Sequence, residues 1–316
     1  MIKLKRHSWL SLFLLLDFLC CSLNVQSQEL YYKAYGEKGR PVLVYIHGGP
    51  RGNATLFEGT TAEKLAQQGF YVVAYDRRGE GRSLDTGATF TFREAIDDLS
   101  RLIDQQQLGR VNLLAHSFGG IVATLFANQH PHKVEKLTLV AALVNQQQTY
   151  DHILASVGLL AKKSDDSAAW EKLRHTISLG RNTAAYRKLC YELAADYGFF
   201  RMPRPTESYR ILNDDYQNGK FGRTNIRNDR APLLFYQNER RVNLDNLPLL
   251  KEMVGKGQRV YAIYGADDRI FSKAQIDDIR ALVGKDHFIS IDNCSHYPFV
   301  DQQGEFIVAV KRFMGK

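Results

Sequence analysis

Ser117, Asp268 and His296 lie far apart in the chain, yet their types belong together in the chemistry of carbonyl groups. A serine hydroxyl is a weak nucleophile and needs a general base. An imidazole is such a base, provided a carboxylate fixes its tautomer and stabilises the cation it becomes. Ser117 sits in Ala115-His-Ser-Phe-Gly-Gly120, where small residues at 115 and 119 allow a sharp strand-to-helix turn that holds the hydroxyl clear of a sheet edge. Alone, the same string also describes a helix start capped by a serine. Earlier, His47-Gly-Gly-Pro50 closes an apolar run. The amides of Gly49 and Phe118 are the expected pair of donors for an oxyanion, although Gly-Gly-Pro by itself is equally a tight turn. Asp268 ends Gly265-Ala-Asp-Asp268, and His296 lies in Asp292-Asn-Cys-Ser-His-Tyr-Pro298. Each is an ordinary turn residue taken singly; the order serine, aspartate, histidine across three strand ends is what suggests joint action.

Such residues meet only if the elements carrying them end at one edge. Runs at 41–46, 70–75, 111–115, 136–144, 259–264 and 287–291 are apolar and β-rich. They alternate with helical spacing at 60–68, 92–108, 118–129, 272–283 and 305–313; Phe92, Ile96, Leu99, Leu102 and Ile103 mark one amphipathic face. Apolar strands separated by helices predict an α/β fold with a mainly parallel central sheet flanked by helices, because parallel strands need crossovers that cover both faces. Ligands of such sheets bind at the carboxyl ends of the strands, where Ser117, Asp268 and His296 all fall. From 145 to 250 the alternation stops and the chain becomes helical, polar and aromatic. This segment is expected to be a helical cap inserted between core segments 28–144 and 251–316. The Asn-, Asp- and Gly-rich stretch 213–229 is expected to be a mobile loop within it.

With His47-Gly-Gly-Pro50, Asp76-Arg-Arg-Gly-Glu-Gly-Arg-Ser83, Ala115-His-Ser-Phe-Gly119, Gly265-Ala-Asp-Asp268 and His296 in this order, the chain resembles the α/β-hydrolase fold superfamily over residues 30–316. The resemblance implies Ser117 as nucleophile, His296 as base and then acid, Asp268 as orienting carboxylate with Asp267 as the alternative acid, and a structural turn at 76–83. Within the superfamily the first two motifs look most like the proline iminopeptidase group. Arg51, Ala115 and His116 stand where that group usually has Gly, Gly and Trp. The group holds a substrate's α-amine with carboxylates from the cap, and Glu192, Glu207 and Glu239 are the candidates here. The cap aromatics Tyr191, Phe199, Phe200, Tyr209 and Phe221 are expected either to cover the pocket or to form the cap's own core. The expected reaction is hydrolysis through an acyl-enzyme with no cofactor, on a small-molecule or short-peptide substrate. An aminopeptidase is the first expectation, a carboxylesterase the second, and a non-catalytic binding protein of the same fold the third.

Composition agrees with an ordinary globular protein. Of 316 residues, 44 % are hydrophobic and 24 % charged. The formal charge of +8 is spread along the chain without a basic block, so nothing suggests nucleic acid as a partner. No Cys-x-x-Cys or His-Glu-x-x-His spacing points to a metal. Residues 1–27 combine a basic start, an apolar run and the small-residue end Val25-Gln-Ser27, the pattern of a cleaved secretory signal and hence of a secreted or periplasmic protein. A retained membrane anchor is the alternative; Asp17 in the apolar run weighs against both. Past this leader only Cys190 and Cys294 remain, either free or joined as a tether from cap to site.

Overall fold

The computed structural model describes residues 29–315; the expected signal at 1–27 lies outside the described residues. Seven strands, β1 (Tyr32–Tyr35), β2 (Val42–Ile46), β3 (Tyr71–Tyr75), β4 (Val111–His116), β5 (Val134–Val140), β6 (Val260–Gly265) and β7 (Phe288–Ile291), form one sheet in the order β1-β3-β2-β4-β5-β6-β7. β1 runs antiparallel to β3 and every other pairing is parallel. The sheet is thus the mainly parallel one that the alternating pattern predicts. Its edge strand β1, with the weak pattern Tyr-Lys-Ala-Tyr, lies outside the apolar runs that the sequence marks.

Burial follows from the pleat. β3, β4 and β6 are buried at every position. Successive residues feed opposite layers: Val44, Val73, Leu113 and Leu139 pack in one core, and Leu43, Val72, Leu114 and Val140 in the other. The helix Phe92–Gln105 buries Ile96, Leu99, Leu102 and Ile103, and Thr91 caps it by accepting from the Glu94 amide. The helix Lys273–Val283 starts with a reciprocal capping box between Ser272 and Gln275. No helix among the described residues is long and apolar enough to cross a membrane.

Between β5 and β6 the chain forms helices at Gln146–Ser164, Ser167–Ser178, Ala184–Asp196, Glu207–Asn218, Lys220–Arg223, Ala231–Asn238 and Leu247–Gly255. Two local expectations are corrected here. The stretch 213–229 is not one loop, because its first part continues the helix Glu207–Asn218 and its middle forms the short helix Lys220–Arg223. Thr206 caps that longer helix, and Tyr209, Leu212 and Tyr216 anchor one face of it, so packing outweighs the poor helix propensity of Asn and Asp. β5 ends at Val140 rather than at 144. Beyond it Ala141 takes a positive φ of 41° and the chain leaves the sheet to wrap the turn at Ser117, where the Leu143 amide donates to the Ser117 carbonyl at 2.9 Å. Cys190 and Cys294 are both buried free thiols, so no tether joins cap to site.

Candidate active site

Parallel register brings the key segments out side by side. Ile46 pairs with Ala115, His116 with Val140, and Gly265 with Ile291, so the chain after β2, β4, β6 and β7 emerges along one edge. Ser117 has φ 52°, a left-handed conformation that costs a non-glycine residue about 1–3 kcal/mol and persists only where its surroundings enforce it. Here the Ser117 amide donates to Val140 O at 3.1 Å, and the Gly120 amide donates back to the Ser117 carbonyl at 2.9 Å. The two following glycines are needed for close approach. A Cβ at Gly119 would lie 2.4 Å from the Ile46 carbonyl oxygen, and one at Gly120 would lie 2.5 Å from the Ala142 Cβ.

His296 Nε2 lies 3.0 Å from Ser117 Oγ, and its Nδ1 lies 2.9 Å from Asp268 Oδ2. A carboxylate only accepts, so Nδ1 carries the proton and Nε2 is left to accept from the serine hydroxyl. The other oxygen, Asp268 Oδ1, accepts from the Ile270 amide at 3.0 Å, which holds the carboxylate in line. Asp268 and His296 are buried, and Phe200 and Phe271 stand around the imidazole with centroids 5.4 and 5.8 Å away. Asp267 is half-buried and is the neighbour whose amide donates to Cys294 O; the carboxylate on His296 belongs to Asp268.

The loop carrying His296 has two further supports. Ser295 donates through its amide, at 2.7 Å, and its hydroxyl, at 2.5 Å, to Asp301 Oδ2; burial pushes the Asp301 carboxyl up to about 6. His116 Nε2 lies 2.9 Å from the His296 carbonyl. Burial, and then the proximity of His296, push the His116 imidazole down to about 3, so it is neutral and donates from Nε2. The sequence pattern around Ser117 contains His116 but gives it no task.

The predicted oxyanion donors face no competitor: among the described residues neither the Gly49 nor the Phe118 amide has a hydrogen-bond partner. Gly49 has φ 151°, and a Cβ there would lie 2.4 Å from Arg77 Nη2. The turn at 76–83 builds this loop. Arg77 donates to His47 O at 2.5 Å, to Gly48 O at 2.7 Å and to Glu80 Oε1 at 2.9 Å, while Glu80 Oε2 accepts from the amides of Arg51 and Gly52. His47 Nε2 accepts from the Arg77 amide at 3.0 Å, and burial holds this imidazole neutral as well. From the cap, Arg187 Nη2 donates to Gly49 O at 2.6 Å.

The three candidate amine-holding carboxylates are placed differently. Glu192 pairs with Lys172 and Lys188 at 3.6 Å, and Glu207 is exposed and pairs with Arg210. Glu239 is buried, but Oε2 accepts from the Phe92 amide at 2.7 Å and Oε1 from the Arg241 amide at 2.9 Å. Of the cap aromatics, Phe200 stands against His296 with Tyr191 beside it; Phe199 is core, and Phe221 packs on Gly59. Among the described residues no cluster of His, Cys, Asp and Glu could hold a metal ion.

Comparison with known proteins agrees with this architecture. An uncharacterized protein of Mycobacterium tuberculosis is 27 % identical over 295 residues, covering 93 % of this chain and 81 % of that one. A proline iminopeptidase of Lactobacillus helveticus is 32 % identical over 121 residues, 36 % of this chain and 40 % of the relative. The crystal structure of a proline iminopeptidase-related protein of Thermus thermophilus superposes with a TM-score of 0.65 at 24 % identity, covering 90 % of this chain and 94 % of the other. Residues 41–303, which carry six of the seven strands together with Ser117, Asp268 and His296, match the alpha/beta hydrolase fold, and the chain belongs to that family.

Proposed function

We propose that the protein is a serine hydrolase that cleaves small esters or amides through an acyl-enzyme. The observation that carries this reading is the continuous relay from Ser117 Oγ through His296 to Asp268, at 3.0 and 2.9 Å, on a left-handed turn. In the proposed sequence Ser117 Oγ attacks the substrate carbonyl while His296 Nε2 takes its proton. The carbonyl electron pair moves onto oxygen, where the Gly49 and Phe118 amides receive it. The tetrahedral adduct collapses with loss of the alcohol or amine, which takes the proton from His296. Water, deprotonated by His296, then attacks the acyl carbon and Ser117 leaves with its proton restored.

Among such hydrolases the geometry favours an esterase-like substrate. The inserted-segment residue that reaches Gly49 itself is an arginine, Arg187; the carboxylate that reaches this loop, Asp229, is taken up by Arg51 at 2.8 Å, and none of Glu192, Glu207 and Glu239 contacts the loop or the relay. An aminopeptidase acting on N-terminal proline is the second reading, favoured by the likeness of part of this chain to a proline iminopeptidase. Residues 1–27 are proposed to act as an export signal, which sequencing the N-terminus of the secreted or periplasmic product would check.

An alkyl fluorophosphonate tests the shared chemistry directly. Intact mass and peptide mapping are expected to place one adduct on Ser117, absent in Ser117→Ala and strongly slowed in His296→Ala. A folded protein that takes up no label would instead be the non-catalytic binding member of the fold.

A further inference from the structure

We infer that Arg187 forms an anion subsite beside the Gly49 loop, so that the substrate hydrolysed at Ser117 carries a carboxylate group. The inference rests on the serine hydrolase reading and narrows its substrate class.

The first ground is the contrast between Arg187 and the other buried arginines. Arg77 pairs with Glu80 and Arg78 with Asp98 and Asp85, and the half-buried Arg82 pairs with Asp76 and Glu58. Arg187 is 7 % exposed, yet among the described residues it enters no ion pair, and its Nε is buried without a hydrogen-bond partner. A buried guanidinium is costly unless a counter-charge meets it, and breaking such a pair is worse than never burying it. Among the described residues no carboxylate pairs with Arg187. The side chains acting on it most are the phenols of Tyr150, Tyr191 and Tyr236, and burial pushes those of Tyr191 and Tyr236 upward, so these two stay neutral.

The second ground is position. Arg187 stands on the helix Ala184–Asp196 of the inserted segment and reaches Gly49 O at 2.6 Å, on the same residue whose amide is proposed to receive the oxyanion. Its guanidinium lies 5.0 Å from the Tyr191 ring, Tyr191 lies 6.2 Å from Phe200, and Phe200 lies 5.4 Å from His296. A chain of ring contacts therefore links the cation through the aromatic side chains to the relay. The edge of the guanidinium formed by Nε and Nη2 has two parallel N–H groups, which match the two oxygens of a carboxylate. The same charge repels the free α-ammonium of an aminopeptidase substrate.

The test compares 4-nitrophenyl esters of pentanoic acid and of glutaric acid, nearly equal in length but differing in a terminal carboxylate, on the full chain, Arg187→Gln and Arg187→Lys. The native protein is expected to prefer the glutarate ester at least tenfold in kcat/KM. That ratio is expected to fall to about one in Arg187→Gln and to recover in part in Arg187→Lys. Free succinate, glutarate or adipate is expected to slow fluorophosphonate labelling of Ser117 in the native protein and not in Arg187→Gln. An equal or better pentanoate ester, with a ratio that Arg187→Gln leaves unchanged, would overturn the subsite and leave Arg187 as a clamp on Gly49. If Arg187→Gln does not fold, the native preference and the Arg187→Lys protein still decide. Absence of labelling and turnover altogether would sink the serine hydrolase reading instead; the subsite would then stand or fall on whether these dicarboxylates raise the native Tm.

Discussion

Ser117, His296 and Asp268 can be picked out of the sequence because each lies at a strand end in an order that chance rarely produces. Which of two adjacent aspartates faces the imidazole cannot, since that depends on how the turn after β6 is wound; in the structure it is Asp268, held by the Ile270 amide. Asp268→Asn is therefore expected to lower kcat by about 10³–10⁴-fold through loss of the correct tautomer. Asp267→Asn should change kcat by no more than about threefold, because on the geometry it lies outside the relay. A kinetic comparison of the two variants checks the assignment. His116 escapes a sequence reading because its partner is a backbone carbonyl 180 residues away. Its imidazole is pushed down to about 3 in the folded chain against an ordinary value of 6.5, so between these values the unfolded chain binds a proton that the native chain does not. The stability that His116 confers is therefore present above pH 6.5 and is lost as pH falls toward 3. Asp301, pushed up to about 6, acts with the opposite slope. His116→Gln, whose side-chain amide can still donate to His296 O, should gain Tm relative to the native protein as pH falls from 7 to 4, and above pH 7 the offset between the two should no longer change with pH.

At the level of elements, glycine spacing in Ala115-His-Ser-Phe-Gly-Gly120 is informative because it reports where backbones touch. Gly120→Val would drive its side chain into Ala142 and should destabilise the protein by about 1–3 kcal/mol or more, read as a lowered Tm. Composition is a poorer guide in 213–229. The Asn and Asp residues there prefer turns in isolation, but Tyr209, Leu212 and Tyr216 gain enough from burial to extend the helix Glu207–Asn218. The Thr206 cap, whose hydroxyl accepts from the Tyr209 amide, is part of that balance, and Thr206→Ala should cost about 1 kcal/mol of stability in chemical denaturation. The end of β5 shows the converse limit. Residues 141–144 are as apolar as a strand, yet they serve the turn at Ser117, and only the tertiary hydrogen bond from Leu143 reveals it.

Across the whole molecule, the alternation of apolar strands and amphipathic helices suffices for the mainly parallel sheet and the helical insertion, because parallel pairing leaves few ways to cover both faces. The insertion's internal arrangement is beyond such periodicity, and with it the arrival of Arg187 at Gly49. Both thiols in the described residues are free and buried, and burial pushes Cys190 up to about 12. The folded protein should accordingly resist alkylation, and unfolding without reductant should release two reactive thiols from residues 29–315, as counted by mass. The central claim is hydrolysis at Ser117. Its most direct measurement is kcat/KM on a short-chain aryl ester, an alanyl arylamide and a prolyl arylamide, each for residues 28–316 and for the Ser117→Ala protein. The expected result is turnover, best on the ester, that falls by about 10³–10⁶-fold in the folded variant. Turnover of the ester that survives Ser117→Ala unchanged, or no turnover of any substrate by the native chain, would contradict it.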